Sequence, residues 1–186
     1  MNRIHQRLCS SDGWARRVRE ELIPWALRGV DLGSDVLEIG PGYGATTRVL
    51  AERIPKITAL EADPQLAVQL AGKIDAAEVV TGDGAAMPFG DATYNTVVCF
   101  TMLHHLPSAE LQDRLFGEVH RVLRPGGTFA GSDSPLSLRF RLLHLFDTMV
   151  VVDPDSLGDR LTSVGFTDVK VGRASRAFRF SARKPA

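Results

Sequence analysis

Three glycines alternate with other residues in Gly40-Pro41-Gly42-Tyr43-Gly44, directly after the apolar run Val36-Leu37-Glu38-Ile39. Without a Cβ, such a loop lets a ligand lie against its backbone. A phosphate-cradling loop needs Gly-Lys-Ser/Thr and a dinucleotide fingerprint reads GxGxxG, so GxGxG fits neither. Seventeen residues past Gly44 stands Glu61, in Leu60-Glu61-Ala62-Asp63. At the end of a second parallel strand, a carboxylate accepts both hydroxyls of a ribose, which points to an adenosine-containing ligand. Asp83, in Thr81-Gly82-Asp83-Gly84, ends a third run, where an acid accepts from the adenine amino group and the next backbone amide reaches a ring nitrogen. His104 and His105 follow a fourth apolar run. Imidazole suits proton transfer near neutral pH, and because adjacent side chains diverge, one of the two is expected to face the ligand.

These residues need a scaffold that brings strand ends together, and the hydrophobic periodicity supplies one. Asp35–Ile39 reads as a first strand, 45–53 as a helix stopped by Pro55, and 57–60 as a second strand. Asp63-Pro64 is an N-cap with proline in the first helical position, and Leu66, Leu70 and Ile74 form one stripe of the next helix. Val79 and Val80 begin a third strand, and 96–100 is a β-branched and aromatic run of the kind buried on both faces of a sheet. Ser108 caps a helix with an apolar stripe from Leu111 to Val122, ended by Pro125-Gly126-Gly127, and 128–130 makes a fifth strand. A helix from Asp155 or Ser156 to Gly165 precedes two alternating runs, 169–171 and 178–182, that read as an antiparallel hairpin. The alternation implies an α/β domain: a parallel sheet, right-handed crossovers and an antiparallel edge.

Length and composition fit one domain of 186 residues, with 44% hydrophobic and 24% charged residues. Twenty-two basic against 22 acidic residues give no net charge, which removes the global electrostatic case for nucleic acid and favours a small partner. Cys9 and Cys99, 90 positions apart, form no disulfide framework and no cysteine-rich metal site. His5, His120 and His144 lack metal-ligand spacing, so no metal is expected; His120 is expected at the surface. No signal-like or membrane-spanning apolar run stands out, and a cytoplasmic location is expected.

Taken together, VLEIGPGYG, ITALEADP, GDGAAMPF, YNTVVCFTMLHHL, RVLRPGG and the terminal GFTDVKV…FRFSARK resemble the class I S-adenosylmethionine-dependent methyltransferases. The likeness is to the small methyltransferase type 11, or ubiquinone-methyltransferase-like, members, in the family's order over about residues 30–184. It implies a Rossmann-like, doubly wound, mostly parallel seven-stranded sheet with an antiparallel C-terminal edge hairpin. S-adenosyl-L-methionine is the implied cofactor and S-adenosyl-L-homocysteine the product. By the same resemblance Glu38 is the acid of the first motif, and Gly40, Pro41 and Gly42 meet the methionine part. Glu61 with Ala62 clamps the ribose, Asp83 and Gly84 hold the adenine, and Thr101 and Met102 approach the methionyl group. Asn95 departs from the acid usual at its position, with reduced local stability as the expected cost. His105 matches a recurrent family position, His104 is its neighbour, and His5 lies in a segment that folds over the cofactor in such enzymes; all three are catalytic candidates.

The chain is thus expected to form a single methyltransferase domain, 1–186, with 1–30 a helical cover carrying Trp14 and Trp25, and 31–186 the core. Within that core 135–152 is a candidate lid or, equally, an interface helix of a homo-oligomer; Arg139 and Arg141 on it are candidates for an acidic group of the acceptor. The expected activity is methyl transfer to a small, largely apolar acceptor, through oxygen (a carboxylate included) or activated carbon. The chain lacks the Asn/Asp-Pro-Pro-aromatic motif of amino-group acceptors. The alternative is a non-catalytic cofactor-binding regulatory subunit. A nicotinamide oxidoreductase is disfavoured by the glycine spacing and by the lack of a Tyr-x-x-x-Lys pair.

Overall fold

The computed structural model describes residues 3–137 and 149–186, with side chains from residue 6 onward. Helices α1 (Arg3–Cys9), α2 (Asp12–Arg17) and α3 (Ile23–Ala26), the last two joined by a π-helical turn (Val18–Leu22), precede the sheet. Ser11 caps α2 by accepting from the Trp14 N–H. Strands β1 (Asp35–Ile39), β2 (Lys56–Glu61), β3 (Glu78–Thr81), β4 (Tyr94–Phe100) and β5 (Leu123–Asp133) are mutually parallel. Helices α4 (Ala45–Ala51), α5 (Pro64–Ala71) and α6 (Ala109–Val122) connect them. After α7 (Leu157–Ser163), strands β6 (Thr167–Arg173) and β7 (Phe178–Arg183) close the sheet antiparallel, in the order β3-β2-β1-β4-β5-β7-β6.

Period-2 alternation divides the central strands between two cores. Leu37, Ile39, Val97, Cys99 and Phe129 pack on one face with Phe116 and Val119 of α6 and Leu157 and Leu161 of α7. Val36, Val98 and Phe100 pack on the other with Val49 and Leu50 of α4 and with Val18, Ile23 and Ala26 of the N-terminal helices. Covering both faces is what a parallel sheet requires, and it explains the unbroken apolar run in β4.

The expected caps are present: the Asp63 carboxylate accepts from Gln65 and Leu66 N–H, and Ser108 Oγ from Leu111 N–H. Three expectations change. First, α6 passes directly into β5, so Pro125-Gly126-Gly127 lies within the fifth strand. Leu123 pairs with Tyr94, a register irregularity follows, and Gly126 takes the positive φ that this needs. Second, His120 is half-buried, its ring edge-on to Phe166 at 5.1 Å, and burial pushes its pKa down. Third, Asn95 is well held: its Oδ1 accepts from Arg124, whose guanidinium also pairs with Asp35 at 3.2 Å.

Candidate active site

Crossover connections leave the C-terminal ends of β1, β2 and β4 open on one side of the sheet, where the strand order reverses about β1. A cavity of about 1900 Å³ lies there. Such a volume exceeds the roughly 300–1,000 Å³ of a single small-molecule pocket. Gly40, Pro41, Gly42, Glu61, Ala62, Asp83, Gly84, Thr101 and Met102 line the cavity, so every expected cofactor contact except Glu38 reaches its wall. Apolar side chains line it as well, Leu8, Trp14 and Trp25 from the N-terminal helices, Leu106 and Leu111 from β4–α6, and Leu136, beside the charged Arg17 and Glu21.

The loop glycines do different work. At Gly40 an added Cβ would fall 2.3 Å from Met102 Cγ, so its absence is a packing requirement. At Gly42, with φ +55, nothing lies within 4 Å of that position; the space belongs to the cavity, as a backbone cradle for a ligand requires. Thr101 also takes a positive φ, +50, which is strained for a β-branched residue, and its N–H is held by Ser132 O at 2.8 Å.

Glu61 is bound from two directions: its carboxylate accepts from Gly42 N–H at 2.9 Å and Asp63 N–H at 3.0 Å. Each oxygen keeps acceptor capacity, so the side chain ties the glycine loop to β2 while still suited to ribose hydroxyls. The Asp83 carboxylate accepts from Ala85 N–H at 2.8 Å, which fixes its turn at the cavity edge. Glu38 is buried beneath the loop; its Oε1 accepts from the Thr46 hydroxyl, and its Oε2 has no partner among the described residues. Burial, against the Thr46 and Thr47 hydroxyls and with the nearby Glu61 charge, pushes the Glu38 carboxyl up to about 7. Glu38 therefore supports the loop from below and does not line the cavity.

Both His104 and His105 line the cavity, contrary to the expectation that one would turn away. Their ring centroids lie 4.2 Å apart with 44° between planes, on the 3-10 turn Leu103–His105. His104 is buried, with Nδ1 2.6 Å from the Asp133 carboxylate, whereas His105 is half-buried. The His5 side chain lies outside the described residues, as do Arg139, Arg141 and His144 and most of the 135–152 segment. The described flanks of that segment meet the site: Pro135, Leu136 and Ser137 line the cavity, and Val150 N–H donates to His104 O at 2.9 Å. Among the described residues no group of three or more His, Cys, Asp or Glu side chains is arranged to hold a metal. No helix there is long and apolar enough to cross a membrane.

Two contributors were missed in the sequence. Asp133 ends β5 beside the exit of β4, a neighbourhood set by strand order and not by sequence distance. The β6–β7 turn, Ala174 to Ala177, brings Arg176 to the cavity wall. No local pattern marks a hairpin turn as a cavity wall.

Residues 37–131 match the family described as a methyltransferase domain. An uncharacterized methyltransferase of Synechocystis is 30% identical over 158 residues, 80% of this chain and 74% of that protein. The chain spans between 28% and 56% of the length of other curated methyltransferases that it matches, among them sterol and ribosomal RNA enzymes. In structure it is similar to the putative methyltransferase solved with the Haloferax volcanii Trm112 activator: TM-score 0.74, 16% identity, full coverage of both chains. It is also similar to a Haemonchus contortus phosphoethanolamine N-methyltransferase solved with S-adenosylhomocysteine: TM-score 0.71, 15% identity, 86% of this chain and 51% of that one. With the strand order, the GxGxG loop and the acid after β2, these matches place the chain in the class I S-adenosylmethionine-dependent methyltransferases, in their type 11 family.

Proposed function

We propose that the protein moves the methyl group of S-adenosylmethionine to a small, largely apolar acceptor, through oxygen, a carboxylate included, or activated carbon. The observation that carries this reading is the cavity at the strand ends, whose lining combines the glycine loop, Glu61 and Asp83 with apolar side chains of the N-terminal helices such as Leu8, Trp14 and Trp25. Gly40, Pro41 and Gly42 offer backbone to the methionyl part, as do Thr101 and Met102. Glu61 with Ala62 takes the ribose, and Asp83 with Gly84 the adenine. The bound cofactor supplies an electrophilic methyl on a positively charged sulfur. The chain's part is to orient the acceptor in line and to exclude water, and positioning of this kind lowers a barrier substantially without covalent chemistry.

On this reading the chain is one domain, with residues 1–30 as cover, 31–186 as core and 135–152 closing the acceptor side. The balanced charge supports a small acceptor over a nucleic acid. Cys9 and Cys99 are both free thiols, which supports a reducing, cytoplasmic setting. The test is a screen of phenols, carboxylic acids, activated-methylene compounds and amines for release of S-adenosylhomocysteine, run beside a short ribosomal RNA. Turnover with an apolar oxygen or carbon acceptor is expected. Turnover with RNA alone, or cofactor binding without turnover in any class, overturns the proposal.

A further inference from the structure

We propose that Arg176 recognises a carboxylate on the methyl acceptor, at a distance from the atom that takes the methyl group. This rests on the methyl-transfer reading above and narrows it: the acceptor is apolar in its body, acidic at one end, and reacts through a hydroxyl or an activated carbon elsewhere.

The β6–β7 hairpin is fastened on both sides of its turn. Arg173, the last residue of β6, pairs with Asp155 ahead of α7. Arg179 of β7 donates to Trp25 O at 2.8 Å, and its guanidinium carbon lies 6.0 Å from the centre of the Trp25 ring. Within the turn Ala174 N–H donates to Ala177 O at 2.8 Å. Asp133, the last residue of β5, lies opposite Phe178, so the turn continues past the end of β5 and meets the cavity that it lines. The arginines flanking the turn thus serve the fold. Arg176, within it, is exposed, and no described residue bonds its guanidinium.

The other charged side chains of the cavity wall are engaged. Arg17 Nε pairs with Glu21 at 3.3 Å. Glu61 accepts from Gly42 and Asp63 N–H, Asp63 caps α5, and Asp83 accepts from Ala85 N–H. Among the described residues Arg176 is therefore the cation of that wall without a counter-charge. A guanidinium presents parallel N–H donors that match both oxygens of a carboxylate. The wall acids Glu21, Glu61, Asp63 and Asp83 repel further negative charge, which favours a carboxylate, with one charge, over a phosphate with two. Trp25, against which Arg179 packs, lines the same cavity and offers apolar surface to the acceptor's body. Neighbouring strands lie about 4.8 Å apart, and β5 separates β7 from β4, so the turn stands about 10 Å across the sheet from the β4 end. Thr101 and Met102 follow that end and, on the reading above, meet the methionyl part. A carboxylate at Arg176 is held away from the reacting methyl and orients the acceptor without being methylated.

Calorimetry on protein saturated with S-adenosylhomocysteine tests this without turnover, with octanoate and hydrocinnamate as probes beside their amides. Wild type is expected to bind at least one acid about tenfold more tightly than its amide, a modest factor because the guanidinium is exposed. Arg176→Gln is expected to bind acid and amide alike, and Arg176→Lys to restore part of the preference. Wild type that prefers neither acid, absence of binding included, or a preference that survives Arg176→Gln overturns the proposal. Octyl phosphate binding more tightly than octanoate overturns it as well, since the anion is then a phosphate. If Arg176→Gln weakens S-adenosylhomocysteine binding to the same degree, Arg176 serves the cofactor and the proposal falls. With the acceptor found in the screen, Arg176→Gln is expected to raise KM about tenfold with a smaller effect on kcat; a product methylated on its carboxylate overturns the assignment. Failure of wild-type protein to bind S-adenosylhomocysteine refutes the functional reading instead, so the two failures are distinguishable.

Discussion

Glu38 makes the protein's stability depend on pH in a direction unusual for an acid. Its carboxyl, buried at 1% exposure with one oxygen unpartnered, is raised from 4.5 to about 7. Between those values the native state binds a proton that the unfolded chain has released, so stability is full below about pH 4.5 and falls as pH rises toward 7. At 1.36 kcal/mol per pH unit, the gap corresponds to about 3 kcal/mol. Glu38→Gln keeps an oxygen to accept from Thr46 and abolishes the titration. The new amide nitrogen lies near the Thr47 hydroxyl, and whatever that exchange costs does not vary with pH. Subtracting urea-unfolding free energies of wild type from those of Glu38→Gln, at intervals from pH 4.5 to 8, cancels every group the two proteins share. The difference is expected to rise by about 3 kcal/mol in favour of the variant across that range. Parallel curves would refute a neutral buried Glu38.

Glu61→Ala removes the carboxylate proposed to accept from the ribose and is expected to weaken S-adenosylhomocysteine binding by about 1.5–3 kcal/mol in calorimetric titration. It is also expected to lower the melting temperature, because Gly42 and Asp63 N–H lose their partner; unchanged affinity in a folded variant removes Glu61 from the site. Gly42→Val is expected to fold with a backbone strain of about 1–2 kcal/mol and to lose cofactor binding. Gly40→Val instead drives its side chain into Met102 and is expected to unfold at markedly lower temperature. If the two variants behave alike, the two glycines do not have separate roles. With a thiol reagent, native protein is expected to label slowly at Cys9 alone, more slowly still with S-adenosylhomocysteine, and at both cysteines once denatured; Cys99 is fully buried, and burial raises both thiol pKa values. Rapid native labelling of Cys99 contradicts that packing.

Much of the scaffold was legible because its signals are local. The β1 run, the Asp63 and Ser108 caps and the alternation in β6 and β7 each occupy a few consecutive residues, and each reappears in the structure. The glycine loop and the acids after β2 and β3 were legible as well, since strand ends at one edge of a parallel sheet share a cavity. What escaped was set across the chain. Asp133 meets His104 over 29 positions because β5 is the neighbour of β4, and Arg176 reaches the cavity because the closing hairpin folds back along β5. His104 and His105 were expected to diverge, with at most one facing the pocket, yet both line the cavity from the turn Leu103–His105. The surface expectation for His120 failed similarly: its α6 position is covered by Phe166 from a distant loop.

The lining of the cavity has an evolutionary consequence. The family match ends at residues 37 and 131, yet Leu8, Trp14, Trp25, Leu136 and Arg176 all lie outside those limits. Walls drawn from flanking segments can drift or lengthen without disturbing strand pairing, whereas a change in the glycine loop or in β2 strikes donor recognition at once. Mutational tolerance at the cavity should therefore be uneven, with acceptor preference shifting readily while the donor stays constant. A directed-evolution library confined to those five positions is the economical route to new acceptors on this sheet.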